Sequence, residues 1–251
     1  VADAVAPTAL VRAGTEALIG RSVLVTGASR GIGLAIVRAI AAEGGRVAMV
    51  ARTVEALAAA AEEFGGRAFP CDVTSTAEVD RLEAAVRRDL GDVPDAIVHS
   101  AGAFTLAPLV ATQPEDFDRQ LSVNLRAPFL VTRAFLPGML KRGSGHVVTV
   151  GSIAGRVALP GNAAYSASKY GLRGLHEVLV AEVRGTGIRA TLIEPAATDT
   201  PLWDALDPDS RDDLPSRGEM LRPEDVARAV LFVLSQPHPI EISRLAIRAI
   251  G

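Results

Sequence analysis

The sequence predicts a single doubly wound α/β domain on a central parallel β-sheet, and three observations carry that prediction. Short, β-branched apolar runs alternate with longer helical stretches, the order expected of successive β-α-β units. The runs are apolar almost throughout instead of alternating with polar residues, as strands covered on both faces require. No linker, repeat or low-complexity segment divides the 251 residues, 49% of which are hydrophobic.

Residues 1–20 are small and apolar without a basic leader, so an N-terminal arm or short helix is expected there, with the domain proper over 21–251. The first strand is expected at 22–26 and ends in a glycine-rich turn at 27–33. A helix follows to residue 43, halted by Gly44-Gly45. A second strand is expected at 46–51, an alanine-rich helix at 54–64 stopped by Gly65-Gly66, a third strand at 68–71 and a helix at 77–90. Further strands fall at 96–99, 145–150 and 188–193, with helices at about 115–141 and 164–184 between them. The least regular stretch, 201–223, carries four prolines and several charges. It is either a substrate loop or an ordinary surface loop.

Composition narrows the function. Lysine plus arginine number 26 against 29 acids, a net charge of -3, which argues against nucleic-acid partners. The one cysteine, Cys71, excludes an internal disulfide framework and a multi-cysteine zinc site, and fits a reducing, cytoplasmic setting. His99, His146, His176 and His238 show no metal-ligand spacing, so no metal is expected. No apolar run approaches the roughly 20 residues of a membrane span, so no membrane partner is expected. The only lysines are Lys141 and Lys169 and the only tyrosines Tyr165 and Tyr170, so chemistry needing either type has two candidates.

Gly27, Gly31 and Gly33 lie between the first strand and first helix. Glycines there allow backbone to approach a pyrophosphate, and the helix N-terminus offers free N–H groups and a positive dipole. Downstream, the second strand ends in Val50-Ala51-Arg52-Thr53, without the carboxylate that binds a ribose 2′-OH. Arg30 and Arg52 suit a 2′-phosphate instead, and Thr53 either adds a hydroxyl or caps the next helix. The cofactor expected is NADP(H). Tyr165 and Lys169 stand at i and i+4, one turn apart on one helix face. A free phenol titrates near ~10, and a nearby ammonium favours its ionised form. Ser152, just after the strand at 145–150, places a hydroxyl able to donate to a carbonyl oxygen.

The run Thr26-Gly27-Ala28-Ser29-Arg30-Gly31-Ile32-Gly33, followed by Ser152 and Tyr165-Ser166-Ala167-Ser168-Lys169, resembles the short-chain dehydrogenase/reductase family. The resemblance covers about residues 21–200 and implies a Rossmann-like fold and carbonyl–alcohol oxidoreduction with a nicotinamide cofactor. It implies catalytic roles for Asn124, Ser152, Tyr165 and Lys169, with Asn124 supporting a water that links the lysine to solvent. It further implies cofactor contacts from Gly27, Ser29, Arg30, Gly31, Ile32, Gly33, Arg52, Thr53 and the Asp72-Val73 pair. Ser100, Ala101, Gly102, Tyr165, Lys169, Pro195, Ala196, Thr198 and Thr200 complete that set. Asp72 has a second reading as the cap of the following helix.

Two departures stand out. His99-Ser100 replaces a pair of asparagines that brace the central strands, a duty Ser100 is expected to take over in part. Ala196 replaces a glycine, which makes Thr200 a firmer contact than Thr198. Phe104, Trp203 and Phe232 are pocket or core candidates, and lone aromatics of this kind are usually core. By resemblance the partners are a small carbonyl or alcohol substrate and a second or further copy, in a homodimer or homotetramer. The competing function class is an NADP(H)-binding sensor or scaffold without turnover.

Overall fold

The computed structural model describes residues 18–250. The arm expected over residues 1–20 lies outside them as far as position 17. Seven parallel strands form one sheet in the order β3-β2-β1-β4-β5-β6-β7. They are β1 (Ser22–Thr26), β2 (Arg46–Ala51), β3 (Arg67–Pro70), β4 (Ala96–His99), β5 (Gly145–Val150), β6 (Ile188–Pro195) and β7 (Arg244–Ile247). The helices between them are α1 (Gly31–Ala42), α2 (Val54–Phe64), α3 (Thr76–Leu90), α4 (Pro114–Leu121), α5 (Ala127–Arg142), α6 (Ala163–Glu182) and α7 (Pro223–Leu234).

The inner strands are buried on both faces because alternate side chains feed opposite cores, whereas the edge strands β3 and β7 are largely exposed. Val23 and Val25 join the apolar cluster that includes Ile36 of α1, Leu57 of α2 and Val230 of α7. Leu24, between them, joins the cluster with Val86 of α3, Phe135 of α5 and Leu179 of α6. That two-sided burial is the reason the strands read as unbroken apolar runs.

Two features depart from the expected elements. The long helix expected at 115–141 is broken by a wide turn, Ser122–Arg126, in which the backbone accommodates an extra residue per turn. Beyond residue 200 the sequence pattern is weak. There the chain forms short 3₁₀ turns at Pro201–Leu206, Pro208–Ser210 and Arg217–Glu219, then α7 and the edge strand β7.

Strand order reverses at β1, which pairs with β2 on one side and β4 on the other. Connections from their carboxyl ends run to opposite faces and leave a crevice, the place where ligands bind in open α/β sheets.

Candidate active site

The turn after β1 is built of close backbone contacts. Gly27 (φ 69°) packs so tightly against the end of β4 that an added Cβ would lie 2.8 Å from Ala101 Cα. At Gly33 a Cβ would fall 2.1 Å from the Gly27 carbonyl oxygen, so α1 starts directly beneath the turn only because no side chain intervenes. The Thr26 hydroxyl accepts from the N–H groups of Ser100 (3.1 Å) and Ala101 (3.2 Å), which locks the turn to β4. Arg30 is the N-cap of α1 and supplies no side-chain cap, leaving the first-turn N–H groups to a ligand.

This turn opens a cleft of about 390 Å³ along the carboxyl ends of β1, β2 and β4. Gly27, Ser29, Arg30, Gly31, Ile32 and Gly33 line one wall, and Arg52, Thr53, Asp72 and Val73 the far end. Ser100, Ala101, Gly102 and Thr200 face them. The groups suit a dinucleotide phosphate: an uncapped helix start, two arginines where Ala51 stands in place of a carboxylate, and a Ser100 Oγ buried with no hydrogen-bond partner among the described residues.

Two open readings are decided here. Thr53 is the N-cap of α2 but makes no side-chain cap hydrogen bond, so its hydroxyl is uncommitted to that helix. The cap of α3 is Ser75, whose side chain accepts from Glu78 N–H, and not Asp72. Asp72 instead holds a tight turn, its Oδ1 accepting from Thr74 N (3.0 Å) and Thr74 Oγ1 (2.7 Å). Burial works to raise the Asp72 carboxyl, but the Thr74 hydrogen bonds and Arg52 hold it below its ordinary value.

The bracing expected of Ser100 is done by other side chains. His99 Nε2 lies 2.8 Å from Thr132 Oγ1, tying β4 to α5, while Thr26 holds the Ser100 backbone. The Ser100 hydroxyl itself lines the cleft and makes no hydrogen bond to the protein among the described residues. Thr198 turns its hydroxyl to the Ala196 carbonyl (3.0 Å), whereas Thr200 lines the cleft. Pro195 ends β6 beside them, in register with Ile247.

The catalytic candidates converge where β5 and α6 meet. Ser152 caps the short turn Ile153–Gly155, its Oγ accepting from Ala154 N–H (3.1 Å), and its side chain favours the ionised form of the Tyr165 phenol. Lys169 lies one helical turn beyond Tyr165, its Nζ 5.5 Å from the phenol ring centroid and donating to the Val150 carbonyl (3.1 Å). Asn124, 1% exposed, sits in the wide turn between α4 and α5. Its Oδ1 accepts from Ala103 N–H (2.8 Å), and its Nδ2 donates to Ala103 O (2.8 Å) and Ser168 Oγ (3.0 Å). The amide therefore clamps the break in the helix to both the segment after β4 and the helix that carries Tyr165 and Lys169.

Burial dominates both titrating groups. It pushes the Tyr165 phenol up to about 12, with the Ser152 side chain pulling the other way. It pushes the Lys169 ammonium down to about 8. The ammonium faces the ring and the Val150 carbonyl, and burial is the largest influence on the phenol.

Two aromatic candidates belong to this site. Phe104 stacks edge-on against Tyr165, with ring centroids 4.8 Å apart, and Trp203 packs against Phe104 at 4.9 Å. Phe232 is 52% exposed on α7 and joins neither. Sequence reasoning passed over Thr26, Val123 and Leu202 as site residues. Thr26 stood inside the glycine motif, while Val123 and Leu202 reach the cleft only through the wide turn and the segment after β6. Among the described residues there is no cluster of metal-binding side chains, and no helix long and apolar enough to cross a membrane.

Comparison with known proteins points one way. Residues 21–211 match the family model described as short chain dehydrogenase. The chain is 38% identical over 227 residues to D-threitol dehydrogenase of Mycolicibacterium smegmatis, covering 87% of each. It is 36% identical over 238 residues to glycine betaine reductase ATRR of Emericella nidulans, a match of 92% of this chain that spans only 19% of that protein. A metagenomic short-chain oxidoreductase solved in complex with NADP superposes with a TM-score of 0.80 at 31% identity, covering 94% of this chain and 99% of that one.

Proposed function

The chain belongs to the short chain dehydrogenase family of oxidoreductases, and from that premise we propose that it interconverts a carbonyl compound and an alcohol with NADP(H). The observation that supports this reading is Lys169 over the ring of Tyr165, its Nζ fixed on the Val150 carbonyl at the end of the strand that leads to Ser152, together with a cleft at the first helix start whose lining suits a dinucleotide. Reduced nicotinamide, when bound, supplies a hydride to the carbonyl carbon. Ser152 donates a hydrogen bond to the carbonyl oxygen and steadies its growing negative charge. Tyr165 gives its proton to that oxygen as general acid, and takes one back in the oxidative direction. Lys169 keeps a positive charge beside the phenol and is placed to hold the nicotinamide ribose. Asn124 fixes the helix break that aligns them and supports the water route from Lys169 to solvent.

Arg30 and Arg52 would hold the 2′-phosphate, and the uncapped start of α1 the pyrophosphate. The NADP-bound relative supports that preference. Asp72, Val73, Ser100, Ala101 and Gly102 would flank the adenosine and central portions. The substrate is a small molecule, and the setting a cytoplasmic one. A homodimer or homotetramer is proposed as well, through the groove between α5 and α6, where Phe129 and Val178 are 45% and 54% exposed. Tyr165→Phe tests the assignment. It is expected to abolish NADPH-dependent carbonyl reduction while NADPH binding, read by fluorescence, stays close to wild type. Near-normal turnover would remove Tyr165 from its role.

A further inference from the structure

Aromatic residues make up 4% of the chain, yet three of their rings, that of Tyr165 among them, pack together. Phe104 stands between the other two, edge-on to Tyr165 at 70° and to Trp203 at 63°. Such contacts are favourable beyond the area they bury, so the three rings form a defined wall. Trp203, the only tryptophan, rides on the 3₁₀ turn Pro201–Leu206, of which Pro201 and Leu202 also line the cofactor cleft. The turn therefore borders the dinucleotide site on one side and, through Phe104, the Tyr165 ring on the other.

Besides backbone hydrogen bonds such as Asp199 N–H to the Leu221 carbonyl (2.8 Å), one guanidinium restrains this irregular segment. Arg217 bonds Asp199, before the turn, through one nitrogen, and Asp204, within it, through another at 2.7 Å. Its own backbone N–H donates to Asp209 (2.8 Å). A lone surface ion pair contributes little, but a fork bridging two carboxylates on either side of Trp203 ties the turn to the residue that precedes it.

Ring surfaces accept flat apolar groups and offer no partners to hydroxyls, which lose hydrogen bonds to water when pressed against them. We propose that Phe104 and Trp203 are the specificity-determining wall of the substrate site and that Arg217 is the positioning residue that holds it. The substrate is then a carbonyl compound with a flat apolar substituent, an aryl ketone or aryl aldehyde. This rests on the carbonyl–alcohol reading and adds the substrate class to it.

The single tryptophan makes the wall its own reporter. The protein loaded with oxidised NADP is titrated with acetophenone and, separately, with dihydroxyacetone, a pairing that binds without turnover. Trp203 emission is corrected against free tryptophan. Acetophenone is expected to quench saturably, with a Kd at least about tenfold below that of dihydroxyacetone. In steady-state reduction with NADPH, Trp203→Ala is expected to lower the ratio of kcat/KM for acetophenone over dihydroxyacetone by about tenfold or more. Arg217→Ala is expected to raise KM for the aryl ketone by about tenfold with a smaller change in kcat, and Arg217→Lys to recover part of the loss. No saturable quenching, equal affinity for the two ketones, or an unchanged ratio in Trp203→Ala overturns the wall. Saturable aryl binding without any reduction by the wild type would instead sink the carbonyl–alcohol reading and leave the wall standing.

Discussion

Replacing His99 with asparagine is expected to flatten the acid side of the stability curve. His99 ends β4, is 3% exposed, and is held against Thr132 of α5. Burial pushes its imidazole from 6.5 down to about 4. The unfolded chain therefore takes up a proton that the folded one refuses. This contribution is complete above pH 6.5 and is lost as the pH falls toward 4. For one such group the loss is about 2 kcal/mol between pH 7 and pH 5, and about 3 kcal/mol by pH 4. His146, pushed down to about 3 by burial and then by Arg189 and Arg21, loses stability with the same sign over a wider range. His176 is lowered by burial as well, so the wild type should show the losses of all three histidines and His99→Asn those of His146 and His176 alone. Urea unfolding at a series of pH values measures this. The variant's lower baseline, from a changed contact with Thr132, does not matter, because the slope with pH is the readout. If wild type and variant lose the same stability between pH 7 and pH 5, the reasoning is refuted.

Arg52→Ala is expected to raise KM for NADPH by about tenfold while leaving NADH use nearly unchanged, since only the 2′-phosphate loses a charge-assisted partner. Initial-rate kinetics with both cofactors check this, and equal losses with both would show that Arg52 does not read that phosphate. Because burial holds the Lys169 ammonium near about 8 and the Tyr165 phenol near about 12, carbonyl reduction should decline as pH rises through 8. A pH–rate profile flat to pH 10 contradicts a required lysine charge.

Local chemistry made much of this protein legible. Strands buried on both faces read as apolar runs wherever they occur, so β1, β2, β4 and β5 are visible one at a time. The glycines at 27, 31 and 33, and the i, i+4 spacing of Tyr165 and Lys169, are likewise properties of short stretches. Strand β7, at the sheet edge, shows no such signature. Arg244 and Ala246 face solvent there, and the strand exists because Leu192–Pro195 of β6 pairs with it. The break at Ser122–Arg126 was illegible for a similar reason. Its sequence continues a helix, and the clamp of Asn124 on Ala103 and Ser168 comes from segments far along the chain.

By itself, then, the amino-acid order determined the doubly wound α/β class, the phosphate turn and the register of the Tyr–Lys pair, because each rests on backbone periodicity or neighbours within one helical turn. Tertiary structure alone decided that Thr26 and His99, rather than the Ser100 hydroxyl, tie β4 to its neighbours, that Asp72 caps no helix, and that Phe104 and Trp203 pack in one row with Tyr165. Those outcomes depend on which side chains from separate elements meet in a desolvated space, where one hydrogen bond or ring contact selects among arrangements that look equivalent along the chain.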